Sequence, residues 1–254
     1  MKNNYFNKKP LSNIYKKPSE VSEVTSQIRY GEKFKVLSKN KSWLKIKTSY
    51  DNYIGYIKDE NYTNDENYIN DHNPTHKIFT LKTNIFNKKK KKTKYFLPFA
   101  SKVLIIQEKK KFVEFEEDRW ILKKDIKKID HVEKDYLKVL KLFLRTKYVW
   151  GGKTYKGIDC SAILQLFYYY NNEFYPRDTK DQLKYSKGNI KIKKFKKGDV
   201  LFWKGHVAVC INAKKLIHAY GPEKKVLIMS ITETIDGIER TANLIIKKIS
   251  SIKY

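Results

Sequence analysis

The chain has 254 residues, 41% hydrophobic and 14% aromatic, which suits two or three domains with cores of their own. Its net charge of +28 rests on 55 basic residues, of which five are Arg (Arg29, Arg119, Arg145, Arg177 and Arg240). The lysines are scattered along the whole chain, a pattern that argues against a nucleic-acid partner, because base readout and phosphate forks favour Arg. Cys160 and Cys210 form no disulfide framework. The segment from Met1 to Glu20 lacks the apolar core of a signal peptide, and no window approaches the length of a membrane span. The expectation is a cytoplasmic protein with reduced thiols.

Residues 1–17 are polar and basic and are expected as a loosely packed arm. From 18 to 73 the runs FKVLS, WLKIKT and YIGYIK alternate apolar and polar residues, with turns at Gly31, Asn40 and Asp51-Asn52. This predicts a small all-β barrel, followed by a linker at Asp71-His72-Asn73-Pro74. Residues 74–130 repeat that pattern loosely and predict a second barrel, with Lys88–Lys92 as a solvated hairpin tip. From 131 the pattern changes. EKDYLKVLKLFLR predicts a buried helix, and a Gly-rich turn then leads to Asp159-Cys160-Ser161 and the apolar run Ala162–Tyr170. Asp178 or Thr179 opens a short helix ending at Gly188, and the strands KKGDVLFWKGHVAVCIN, KKLIHAYG, KVLIMSIT and ANLIIKKI follow. Helices before antiparallel strands predict an α+β domain over 131–254.

Cys160 opens the predicted helix, where Asp159 or Ser161 supplies capping oxygen and the positive end of the dipole favours thiolate. His206 opens one predicted strand and His218 lies on the next, so a short hairpin brings both imidazoles to one face. A cysteine helix packed on that face makes a triad: Cys160 attacks, His206 takes its proton, and His218 orients His206. A thiolate–imidazolium pair is then expected at neutral pH. Two histidines and a cysteine are also compatible with zinc, although no CxxC or HExxH spacing is present. Cys210 is read as a core residue, and His72, His76 and His131 are assigned no role.

Trp150-Gly151-Gly152, Asp159-Cys160-Ser161, Gly198-Asp199-Val200-Leu201-Phe202, His206-Val207 and Ile217-His218-Ala219 resemble the NlpC family of papain-like cell-wall cysteine peptidases. SEVTSQIRYGEKFKVL and DNYIGYI resemble the first bacterial SH3-like barrel of its γ-D-glutamyl-L-diamino-acid endopeptidase (dipeptidyl-peptidase VI) subgroup, which carries two such barrels before the peptidase domain. The resemblance implies Cys160 as nucleophile, His206 as base and His218 as orienting residue, with no metal or cofactor. It further implies Tyr148 at the oxyanion, Ser161 on the γ-D-Glu carboxylate, Asp178 and Thr179 at the substrate's N-terminal end, Glu23 as a second carboxylate for its ammonium, and Tyr53 as a wall contact. The implied substrate is a peptidoglycan stem peptide, L-Ala-γ-D-Glu-diamino acid, with a free amine. The chain departs from the family at Thr179, where serine is common, and at Tyr56, where tryptophan is usual. Two alternatives stay open: a secreted hydrolase of intact wall, and a catalytically silent wall-binding protein.

Overall fold

The alternation of apolar and polar residues sets the first sheet. The computed structural model describes residues 4–60, 62, 73–190 and 194–252. In Trp43–Thr48, the residues Leu44, Ile46 and Thr48 point inward and the three between them are partly exposed. Two compact units divide the chain: Met1–Val132 with Tyr170–Asn172, and Glu133–Tyr169 with Glu173–Tyr254.

The first unit opens with strands β1 (Asn4–Phe6), β2 (Leu11–Tyr15), β3 (Val24–Arg29), β4 (Lys33–Asn40), β5 (Trp43–Thr48) and β6 (Ile54–Lys58). They form one sheet in the order β1-β4-β5-β6-β2-β3 around Ile14, Ile28, Phe34, Leu44, Ile46, Ile57 and Tyr62. The loosely packed arm expected over 1–17 is therefore corrected: residues 4–15 supply two strands, and Ile14 is fully buried. Asn7, also fully buried, explains how so polar a segment is held. Its Nδ2 donates to the Ile28 carbonyl at 3.1 Å, and its Oδ1 accepts from the Tyr62 hydroxyl at 2.6 Å. Of the expected linker, Asp71 and His72 lie outside the described residues.

Residues 76–128 give β7 (His76–Ile78), β8 (Lys82–Phe86), β9 (Lys92–Pro98), β10 (Lys102–Val103), β11 (Gln107–Lys109), β12 (Phe112–Glu116), β13 (Arg119–Leu122) and β14 (Ile126–Lys128). They build two sheets, β10-β7-β14 and β11-β12-β13-β8-β9, over a shared core that includes Ile78, Leu97, Val113 and Ile121. Tyr30 from the first set of strands is buried in the same core, and its hydroxyl donates to Glu116 Oε1 at 2.7 Å. The Lys88–Lys92 run caps the β8–β9 hairpin, where Asn87 Oδ1 accepts from Lys91 N at 3.0 Å.

In the second unit, helix α1 (Tyr136–Leu142) starts at Asp135, whose side chain accepts from Leu137 N at 3.1 Å. A small hairpin, β15 (Lys153–Thr154) and β16 (Gly157–Ile158), leads into α2 (Cys160–Tyr170) and then α3 (Thr179–Tyr185). The sheet comprises β17 (Gly188–Asn189), β18 (Asp199–Trp203), β19 (His206–Cys210), β20 (Lys215–Tyr220), β21 (Lys225–Ser230) and β22 (Lys248–Ser251), in the antiparallel order β17-β22-β18-β19-β20-β21. The last strand thus lies inside the sheet beside β18. Helix α4 (Ile231–Ala242) was not foreseen, although Ser230-Ile231-Thr232-Glu233 spells a capping box and the Ser230 side chain accepts from Glu233 N. Ile231 and Ile238 of α4 cover Leu201, Trp203, Ala208, Cys210 and Leu216, so Cys210 is the core residue expected of it.

Candidate active site

Two glycines bring the cysteine turn together. A Cβ on Gly152 would meet the Gly157 carbonyl oxygen at 2.5 Å, so only glycine lets the β15–β16 hairpin close at this point. The hairpin ends at Asp159, a buried carboxylate at which five donors converge. Oδ1 accepts from Ala162 N at 2.8 Å, the Ser161 hydroxyl at 3.1 Å and Arg177 Nη1 at 3.0 Å. Oδ2 accepts from Gly151 N at 3.0 Å and Arg177 Nη2 at 2.6 Å. Asp159 therefore caps α2 and is clamped by Arg177, which is 3% exposed. Arg177 is not among the residues expected at the site, because its partner lies eighteen residues away in sequence.

Cys160 begins α2 and is itself 3% exposed. Its Sγ lies 3.8 Å from Thr179 Oγ1, at the start of α3, and 3.9 Å from the Gly205 carbonyl oxygen. The Val207 backbone also donates toward it. Gly205 turns the chain from β18 to β19 at φ +79, where other residues are strained. The thiol is thus held against the residues on both sides of His206. Among the described residues no hydrogen bond joins Sγ to either imidazole.

Strand register makes the histidine pair. Val209 pairs with Ile217 and Cys210 with Leu216, which places His206 and His218 diagonally on one face. His206 Nε2 and His218 Nδ1 are 2.9 Å apart. His218 is fully buried, stacks on Tyr220 at 4.6 Å between ring centroids, and turns its Nε2 to Met229 Sδ at 3.3 Å. Tyr220 and Met229 were not among the expected site residues. Tyr220 is two positions beyond His218 on the same strand, so period-two alternation would have found it. Met229, across the sheet on β21, gave no signal in the sequence.

Burial sets the charge states. It pushes the Cys160 thiol up to about 11, with the Asp159 carboxylate adding to the shift. It lowers His206 to about 4 and, together with the neighbouring His206, lowers His218 to about 2. Burial thus favours thiol and neutral imidazole at rest, against the expected thiolate–imidazolium pair. Among the described residues no cluster of three or more His, Cys, Asp or Glu is placed to hold a metal ion.

Tyr148 is held by a bridge to Ile158 and by its N–H to the Lys224 carbonyl at 2.8 Å. Burial pushes its phenol far above the ordinary value, with the nearby Cys160 and Asp159 contributing, so the hydroxyl stays a donor. Ser161 Oγ is engaged already, donating to Asp159 and accepting from Arg177 Nη1 at 2.9 Å. A bond from Ser161 to a substrate carboxylate requires this hydroxyl to rotate away from Asp159. Asp178 is the N-cap residue of α3, yet its side chain makes no capping bond. Glu23 and Tyr53 belong to the first unit. There Glu23 pairs with Lys16 at 3.2 Å, and the Tyr53 hydroxyl donates to the Thr25 carbonyl at 3.4 Å.

Residues 145–238 match the NlpC/P60 family, and residues 14–61 match the bacterial dipeptidyl-peptidase Sh3 domain. The chain is similar to the gamma-D-glutamyl-L-lysine dipeptidyl-peptidase of Bacillus subtilis, with 34% identity over 109 residues covering 40% of this chain and 36% of that protein. It is also similar to dipeptidyl-peptidase 6 of Lysinibacillus sphaericus, with 34% identity over 91 residues covering 36% of this chain and 34% of that one. These matches span about a third of the relatives' own lengths. The crystal structure of an NlpC/P60 family protein from Bacillus cereus shares the fold, with a TM-score of 0.74 and 17% identity over 90% of this chain and 94% of that one.

Proposed function

We propose, for a chain whose residues 145–238 belong to the NlpC/P60 family, that it is a cysteine peptidase cutting the γ-D-glutamyl–diamino acid bond of peptidoglycan stem peptides with a free N-terminal L-Ala. The observation that carries this is the 2.9 Å hydrogen bond between His206 Nε2 and His218 Nδ1, on the strand whose entry turn holds a cysteine at a helix start. The similarity to dipeptidyl-peptidases directs it to this bond.

In the first step Cys160 Sγ bonds to the γ-glutamyl carbonyl carbon while its proton passes to His206. The Cys160 N–H and the Tyr148 hydroxyl hold the oxyanion. The C–N bond then breaks, and His206 returns the proton to the leaving amine. Water, deprotonated by His206, attacks the thioester and releases L-Ala-D-Glu, restoring the thiol. Asp178 and Thr179 receive the amine end in this proposal. The setting we propose is the cytoplasm. Among the described residues no helix is long and apolar enough to cross a membrane.

The test is hydrolysis of L-Ala-γ-D-Glu-diaminopimelate, its L-lysine analogue and their N-acetylated twins, followed by mass spectrometry. Cleavage of free peptides alone, abolished in Cys160→Ala, is the expected result. Equal cleavage of the acetylated twins would remove the amine requirement, and activity surviving in Cys160→Ala would remove the nucleophile.

A further inference from the structure

A histidine in the orienting position raises a problem that an amide or a carboxylate does not. A neutral imidazole presents either a donor or an acceptor at Nδ1, and the two tautomers are close in energy. If His218 carried its proton on Nδ1, it would donate to His206 Nε2. His206 would then carry its own proton on Nδ1 and could not accept one from the thiol there. If His218 carries its proton on Nε2, its Nδ1 accepts from His206 Nε2–H, and His206 Nδ1 keeps a free lone pair. Only the second arrangement leaves His206 able to act as a base toward Cys160.

The structure contains a group that chooses between them. His218 Nε2 lies 3.3 Å from Met229 Sδ. A thioether has lone pairs and no proton, so it accepts and never donates. A bare Nε2 lone pair would face the sulfur lone pairs without a bond, inside a fully buried ring. An Nε2–H makes the bond. Tyr220, stacked on His218 with 12° between planes, holds the ring in line with both neighbours. Because burial keeps His218 neutral, the choice lies between tautomers and not between charge states.

We infer that Met229 is a positioning residue for catalysis: its sulfur fixes the Nε2–H tautomer of His218, which in turn fixes the Nε2–H tautomer of His206 and leaves His206 Nδ1 as the proton acceptor. The inference rests on Cys160 and His206 being the nucleophile and base proposed above. The chain has two methionines, Met1 and Met229, so replacing methionine by norleucine removes the half-buried Met229 sulfur while keeping the side-chain length. Selenomethionine replaces it while keeping an acceptor.

The experiment is nitrogen-15 NMR of the imidazoles in methionine, selenomethionine and norleucine protein, together with steady-state kinetics on the free stem peptide. In the first two proteins both His206 and His218 should be Nε2–H. In norleucine protein His218 should populate both tautomers, and kcat should fall about fivefold with KM unchanged, the worth of one ordinary hydrogen bond. Selenomethionine protein should keep full kcat. An Nδ1–H His206 in methionine protein would overturn the inference, as would norleucine protein with unchanged tautomers and kcat. The tautomer readout needs no substrate, so it decides the inference even if the proposed peptide is not cleaved.

Discussion

The neutral resting pair makes a quantitative prediction about the thiol. Only thiolate is alkylated by iodoacetamide, and burial holds Cys160 at about 11 against an ordinary 9.0. At pH 7 the thiolate fraction is then on the order of one in ten thousand, about a hundredfold below that of an unperturbed cysteine. The alkylation rate should rise about tenfold per pH unit from 7 to 10. A thiolate–imidazolium pair behaves differently: it is alkylated quickly at pH 6 and levels off below pH 8, roughly. The assay is timed alkylation over that range, read as the mass of the Cys160 peptide. This separates it from Cys210, which burial pushes up to about 12. His206→Gln should leave the slope unchanged, because the imidazole does not ionise the thiol at rest. A plateau between pH 5 and 8, lost in His206→Gln, would refute the neutral pair.

On the proposed mechanism Tyr148→Phe removes one oxyanion donor, and it should lower kcat by about a hundredfold or more with KM nearly unchanged. A normal kcat would leave the oxyanion to backbone donors alone. Arg177→Gln leaves the buried Asp159 carboxylate without its 2.6 Å partner and should cost about 3–5 kcal/mol of stability in urea titration, partly recovered by adding Asp159→Asn. Two additive losses would show the pair to be uncoupled. Asn7→Ala takes the Oδ1 acceptor from the Tyr62 hydroxyl and the Nδ2 donor from the Ile28 carbonyl, and should cost about 2 kcal/mol in the first unit. An unchanged urea midpoint would return the segment to an arm.

The strands were legible wherever one face is dry and the other wet, as in Trp43–Thr48, because period two is then written directly in side-chain type. Residues 4–15 were not legible for the same reason. Their anchor is Asn7, a polar residue whose burial depends on partners at Ile28 and Tyr62 that no local pattern shows. Helix α4 carried its signal in Ser230 and Glu233, but four apolar residues just before it drew the eye to the strand. The position of β22 inside the sheet is a matter of long-range pairing with β18, which period and propensity do not encode.

The placement of Cys160 at a helix start and of His206 and His218 on one sheet face was legible because each stands at the start or on the face of an element whose period is plain. Their charges were not. A helix N-terminus favours thiolate by about 0.3–1 kcal/mol at an exposed position. Burial and the Asp159 carboxylate move Cys160 by about two pH units, on the order of 3 kcal/mol in the other direction. The larger effect wins, and it depends on how completely α3 and the Gly205 turn close over the sulfur. The same holds for Met229. A methionine on a third strand stands beside the imidazole because register sets its sulfur 3.3 Å from a ring nitrogen, and in the inference above its contribution is the absence of a proton. On that inference the base depends on a group that neither gains nor loses charge, and such a group is found by tracing each buried polar atom to its partner.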